Sequence, residues 1–219
     1  MKKLLLFVVF AFAFGVSMMA QNFYGGLILG GTASQIGGDA RGGYNKIGIV
    51  GGGFAGLQLT QDFDVQMELK YIQKGSYSTD IENRPAFDPF LIKLDYVDLP
   101  VVFSYNLNKI NVNDINLSWL KLEFGLSFDF LINYRQEILG ATVPASNPWR
   151  KAVLNTVVGF RVNVKDNIEI GLRAVDSMTS ICNSFKEQYN NGNVVYVRRL
   201  FGRYGMFNDV LQLALFWKI

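Results

Sequence analysis

The sequence predicts an all-β protein, an eight-stranded antiparallel up-and-down transmembrane β-barrel. Two features point there. Several segments alternate residue by residue between an oily face and an ionic one, the period of a strand with unlike sides. The connections between those segments also alternate, long then short, as they do at the two rims of an outer-membrane barrel. Composition agrees: 50% hydrophobic and 14% aromatic against 18% charged is oily for a water-soluble chain, yet there is no long apolar run beyond the first 20 residues.

Residues 1–20, MKKLLLFVVFAFAFGVSMMA, read as a secretory signal peptide. Two lysines precede an apolar stretch from Leu4 to Phe14, and Ala20 is a small residue suited to cleavage before Gln21. The apolar core is shorter than the ~20 residues a membrane helix needs. Residues 21–219 are then one barrel domain, about 199 residues or ~25 per strand with its connection, close to what ~10-residue spanning strands require.

The first strand, 24–32 (YGGLILGGT), and the fourth, 95–107 (DYVDLPVVFSYNL), are apolar on both faces in places. The second is the glycine-rich run 47–59. In the third, 63–73, Phe63, Val65, Met67, Leu69 and Tyr71 oppose Asp64, Gln66, Glu68 and Lys70. The fifth, 120–132, sets Leu120, Leu122, Phe124, Leu126, Phe128 and Phe130 against Lys121, Glu123, Gly125, Ser127 and Asp129. The sixth, 152–164, sets Leu154, Val158, Phe160, Val162 and Val164 against Asn155, Gly159, Arg161 and Asn163. The seventh, 168–174, opposes Ile168, Ile170 and Leu172 to Glu169, Gly171 and Arg173, and the eighth, 210–219, opposes Leu211, Leu213, Leu215, Trp217 and Ile219 to Gln212, Ala214 and Lys218. Long connections fall at 34–45, 76–91, 134–150 and 179–202, tight turns at Gln61-Asp62 and 165–167, and a mid-sized connection, NKINVNDIN, joins strands four and five. An even strand number places both mature termini at the short-turn, periplasmic side and the long loops outside the cell.

Alternation alone does not say which face is inside. A soluble eight-stranded carrier of lipocalin type would point the oily face inward, around a ligand. Charge decides: the polar faces hold three basic and five acidic residues, Asp64, Glu68, Lys70, Glu123, Asp129, Arg161, Glu169 and Arg173, which can pair in a narrow lumen. The opposite faces, dense in Leu, Phe and Val, would form an apolar patch unusual in water. Tyr71, Tyr105, Tyr134 and Trp217 lie near the predicted strand ends, where interfacial aromatics meet lipid headgroups.

Residues 49–60, IVGGGFAGLQLT, place Gly51, Gly53 and Gly56 at the G-x-G-x-x-G spacing of a dinucleotide site. That site needs a helix opening at the glycines. The residues after these glycines alternate and then turn, so no nucleotide and no cofactor is expected. The glycines fit a tightly curved strand with no room for bulk, although parity leaves open whether Gly48, Gly52 and Gly56 or Gly51 and Gly53 face the crowded side. Without Lys2 and Lys3 the 21 basic residues become 19 against 18 acidic, a mature net charge of +1, which excludes a nucleic-acid partner. Zero histidines remove Ser-His-Asp and Cys-His nucleophiles and His-ligated zinc; no metal site and no catalytic residue is expected. The lone Cys182 reads as an incidental residue of a polar loop.

Three stretches in order, 37–52 (GGDARGGYNKIGIVGG), 68–76 (ELKYIQKGS) and 95–106 (DYVDLPVVFSYN), resemble the PorT-type outer-membrane β-barrel family of Bacteroidetes. The resemblance implies an eight-stranded barrel in the outer membrane. The family takes its name from a component of a secretion machinery serving gliding and protein export, so an envelope or secretion protein is an implied partner alongside outer-membrane lipid. Among the motif residues, Asp39, Tyr44 and Asn45 are expected to cap or pack the first outer loop, and Asp98 and Pro100 to share the lumen face, the proline at a bulge because it cannot donate to the ladder.

For activity, the favoured expectation is a non-enzymatic barrel whose rim and loops contact a partner, with Arg84, Phe87, Phe90, Trp149 and Tyr189 as loop residues of contact-forming type. The alternatives are a small pore and a membrane-embedded hydrolase or acyl transferase, which without histidine would need a carboxylate pair or a Ser-Lys arrangement.

Overall fold

In a computed structural model, residues 23–39, 43–78, 89–108, 111–112, 115–144, 149–182, 197–198 and 204–219 are described. The proposed leader and the loop residues Arg84, Phe87 and Tyr189 lie outside them. Eight long strands form the wall: β1 (Phe23–Gly37), β2 (Lys46–Gln58), β3 (Phe63–Ser78), β4 (Phe90–Asn106), β5 (Leu120–Ile138), β6 (Ala152–Lys165), β7 (Ile168–Ser177) and β8 (Phe207–Lys218). Each pairs antiparallel with its neighbours in sequence, and β1 pairs with β8 to close the ring. Two two-stranded ornaments of two-residue strands decorate the connections, and a two-residue strand, Ala141–Thr142, folds back on the end of β5.

The registers fix the geometry of the cylinder. One row of cross-strand partners runs from Gln35 through Asp209, Asp176, Thr156, Leu126, Val101, Met67 and Ala55 to Gly25. One circuit therefore returns to β1 ten residues below its start. A stagger of ten over eight strands, with the usual rise and spacing, tilts the strands by about 40°.

On the outside, Leu27, Leu29, Ile49, Met67, Leu69, Leu99, Phe103, Phe124, Phe128, Val158, Leu172 and Leu213 are all exposed. Along β4 this oily band runs from Tyr105 up to Val97, and with Asp95 as its upper border it is about 25 Å tall at that tilt. Inside, Lys70, Lys74, Arg161 and Arg173 are fully buried. The polar faces point into the lumen.

Strands overrun the expected long loops: β1 continues to Gly37, β3 to Ser78 and β5 to Ile138, while β4 begins at Phe90. Loop-like composition at 34–37, 76–78 and 134–138 belongs to strand that rises beyond the oily band, where polar residues can face water. The bulge expected at Pro100 is not there. The β3–β4 register is the same on both sides of Leu99 and Pro100, where the ladder only lapses, since Pro100 has no N–H to give. The irregularity lies higher, where Ile132 is the extra residue of β5 opposite Asp95 and Tyr96. It reverses the parity of β5 from there upward.

The glycines divide by face. Gly48, Gly52 and Gly56 alternate with exposed Ile47, Ile49 and Ala55 and so point inward, whereas Gly51 and Gly53 point outward. The crowding is on the inside: a Cβ at Gly52 would meet Lys70 Cα at 2.5 Å, while one at Gly53 has no neighbour nearer than 3.4 Å.

Candidate functional site

Among the described residues the lumen gathers most of the buried charge, built up from the short-turn end. Lys121 of β5 lies 2.9 Å from Glu169 of β7 and 3.6 Å from Asp64 of β3. Lys218, the last residue of β8, reaches Glu169 at 2.5 Å. One level higher, Arg161 of β6 bridges Glu123 and Glu169, the latter at 2.9 Å, and donates to Gln66 at 3.1 Å. Arg173 of β7 then binds two carboxylates at once, Glu68 at 2.8 and 2.9 Å and Glu123 at 2.8 and 2.9 Å. Such paired forks hold the planar guanidinium in one orientation. Lys70 continues the ladder with Glu68 at 2.9 Å, Asp98 at 3.4 Å and Gln212 at 3.2 Å.

Phe216 is the apolar counterpart of this network. Its ring lies under both guanidinium groups, 4.0 Å from Arg161 and 4.7 Å from Arg173, so each charge has a π face as well as carboxylates. Gly171 makes this possible, because a Cβ there would come within 2.9 Å of the ring.

Asp129, the cross-strand partner of Asp98, makes a separate ion pair with Lys74 at 2.5 Å, under the ring of Tyr96. Above it, Ile36, Ile92, Leu94 and Ile181 are buried, with Trp149 and Met206 packed against them, and close the long-loop end with apolar side chains. Cys182 is buried here too, bridged to Trp149, and is not the polar-loop residue its surroundings in sequence suggested. Phe90 and Trp149, expected as loop contacts, likewise pack on this core.

Seven of the eight expected lumen charges thus form one network and Asp129 joins a separate pair. The expected set of three basic and five acidic groups left out Lys74, Lys121 and Lys218, and Asp98, expected on the lumen face by parity, joins the network there. Including them, six carboxylates (Asp64, Glu68, Asp98, Glu123, Asp129, Glu169) face six cations (Lys70, Lys74, Lys121, Arg161, Arg173, Lys218). Lys121, Lys218 and Phe216 were signalled by parity, each on the polar face of a recognised alternation; Lys74 lies one residue past where the third segment was ended.

The four aromatic residues separate. Tyr105 and Trp217 sit one residue from the ends of β4 and β8, at the short-turn edge of the band, with Phe63 4.7 Å from Tyr105. Tyr71 is not at a strand end but mid-β3, below the upper border, and its hydroxyl reaches up to Asp95 at 2.9 Å. Tyr134 is carried past the border by the β5 extension, and the bulge shifts its register to the inner-face side, opposite buried Leu94, where it stays 48% exposed.

A profile of the family described as Outer membrane protein beta-barrel domain matches residues 10–183, more than half of the chain. Among solved structures, the chain is similar to Ail, the attachment invasion locus protein of Yersinia pestis, solved alone and in complex with the heparin analogue sucrose octasulfate: 10% identity over 90% of this chain and 99% of that one, TM-score 0.48. Neisserial surface protein A is comparable, at 10% identity over 90% of this chain and 97% of its own, TM-score 0.47. The comparison with curated proteins finds no match. With its oily exterior and its profile match together, the chain belongs to the outer-membrane β-barrel domain family.

Proposed function

We propose that this outer-membrane protein is a non-enzymatic, non-conducting barrel that holds its long-loop rim rigidly against an envelope or secretion-related partner. The observation that carries this reading is the lumen: six carboxylates and six cations consume one another, and an apolar cap lies above them. Each of these buried charges has an oppositely charged partner, which leaves little room for a hydrated path, while Asp98 and one oxygen of Asp129 make no hydrogen bond. An eight-stranded interior is just wide enough for side chains to fill it. The PorT-type motifs at 37–52, 68–76 and 95–106 support placing the chain in that Bacteroidetes lineage, cleavage after Ala20 delivers it to the periplasm, and the long loops then face outward with both mature termini inside.

Planar-bilayer recording of the refolded protein tests the reading. A flat baseline at moderate voltage is expected. Stable, reproducible single-channel steps would retire the plugged lumen in favour of the small pore.

A further inference from the structure

On β3, β4 and β5 the outward side chains change character in rows as the wall leaves the oily band. The topmost oily row includes Tyr71 and Val97, with Phe130 next to Val97 on β5. The next is polar: Gln73, Asp95 and Asn133 are cross-strand partners. Asp95 is almost fully buried there, accepting from Tyr71 at 2.9 Å and Asn133 at 3.1 Å. The row above pairs Gly75, Lys93 and Arg135, two cations side by side on neighbouring strands with no side chain on the β3 side of Lys93.

Each cation has a carboxylate near it, yet the accessible charge is positive. The Lys93 side chain is 33% exposed against 7% for Asp95, which lies 3.6 Å away, beyond hydrogen-bond length. Arg135 is 59% exposed and Glu137, its partner, 17%. The hidden carboxylates set the directions of the cationic heads and leave them facing outward.

We infer that Lys93 and Arg135 form a binding site for the phosphate of an anionic lipid headgroup, with the lipid's acyl chains lying on the oily surface of β4 and β5 below. The site is continuous with the lipid-facing band, so a headgroup at the border stands beside the cations without leaving its leaflet. Tyr71, with its ring in the band and its hydroxyl on Asp95, anchors the wall at that depth. The inference holds for either leaflet and is independent of whether the lumen conducts.

The test is native mass spectrometry of the full chain after exchange from mixed vesicles of equal parts phosphatidylglycerol and phosphatidylcholine with matched acyl chains. The wild-type protein should retain phosphatidylglycerol in preference. K93Q and R135Q should each lower that preference about fivefold, the usual effect of one interfacial cation, and the double variant more. K165Q, at the opposite rim, should leave it unchanged. Heat-modifiable migration confirms that every variant is folded. No preference in the wild type, or a double variant that keeps it, overturns the site. Displacement of the lipid by millimolar inorganic phosphate would assign the pair to free anions and overturn the lipid assignment.

Discussion

Arg173 concentrates the physics of the interior in one side chain. Its guanidinium makes four hydrogen bonds to Glu68 and Glu123 and rests over Phe216, all with no exposure. Removing one member of such a buried set leaves the others charged and uncompensated, at a cost of about 3–5 kcal/mol. Arg173→Met should lower stability by that amount, read as a shift in the urea midpoint of tryptophan fluorescence in lipid vesicles. Arg173→Lys should recover only part of it, because an ammonium has three donors and no planar fork with which to replace the four hydrogen bonds. The sequence shows why Arg173 faces inward, since it shares a face with Glu169 and Gly171, but not whom it meets. Its partners Glu68 and Glu123 lie 105 and 50 residues away, and only the stagger of the cylinder brings them to the same level.

At the scale of the strand, β2 shows how close neighbouring chains press on the lumen side. Gly52→Val would drive a branched side chain into the backbone of Lys70 and should cost about 1–3 kcal/mol or block folding. Gly53→Ala, one residue along and facing lipid, should be neutral or stabilise by about 0.5 kcal/mol through reduced chain freedom. The same unfolding measurement separates the two. Strand existence and facing were legible wherever oily and ionic residues alternate, as in β3 and β5. Strand length was not, because beyond the band the outer face meets water and the alternation fades into Ser, Asn and Gln, which also make loops. The shift of Tyr134 to the inner-face side escaped for a related reason: one added residue, Ile132, reverses everything above it, and nothing in the local composition marks it.

For the molecule as a whole, the oily band sets where each residue sits in the bilayer. Leu126 occupies the middle of the outward run from Leu120 to Phe130, while Trp217 lies at the short-turn edge. Leu126→Arg should cost about 2–4 kcal/mol of folding into lipid and Trp217→Arg about 0–1 kcal/mol, a depth dependence that a water-borne barrel would not show. Measuring both in vesicles and in detergent micelles separates a bilayer effect from a packing one.

Because β1 and β8 are each other's neighbours, Gly26 finds Lys218 only when nearly the whole polypeptide is already arranged between them. Until that seam forms, two strands carry rows of bare amide and carbonyl groups, and in hydrocarbon each one left unmet costs several kcal/mol. Entry into the bilayer and joining of the chain's two ends are therefore a single event, and a polypeptide lacking its last twelve-residue strand has no stable way to cross.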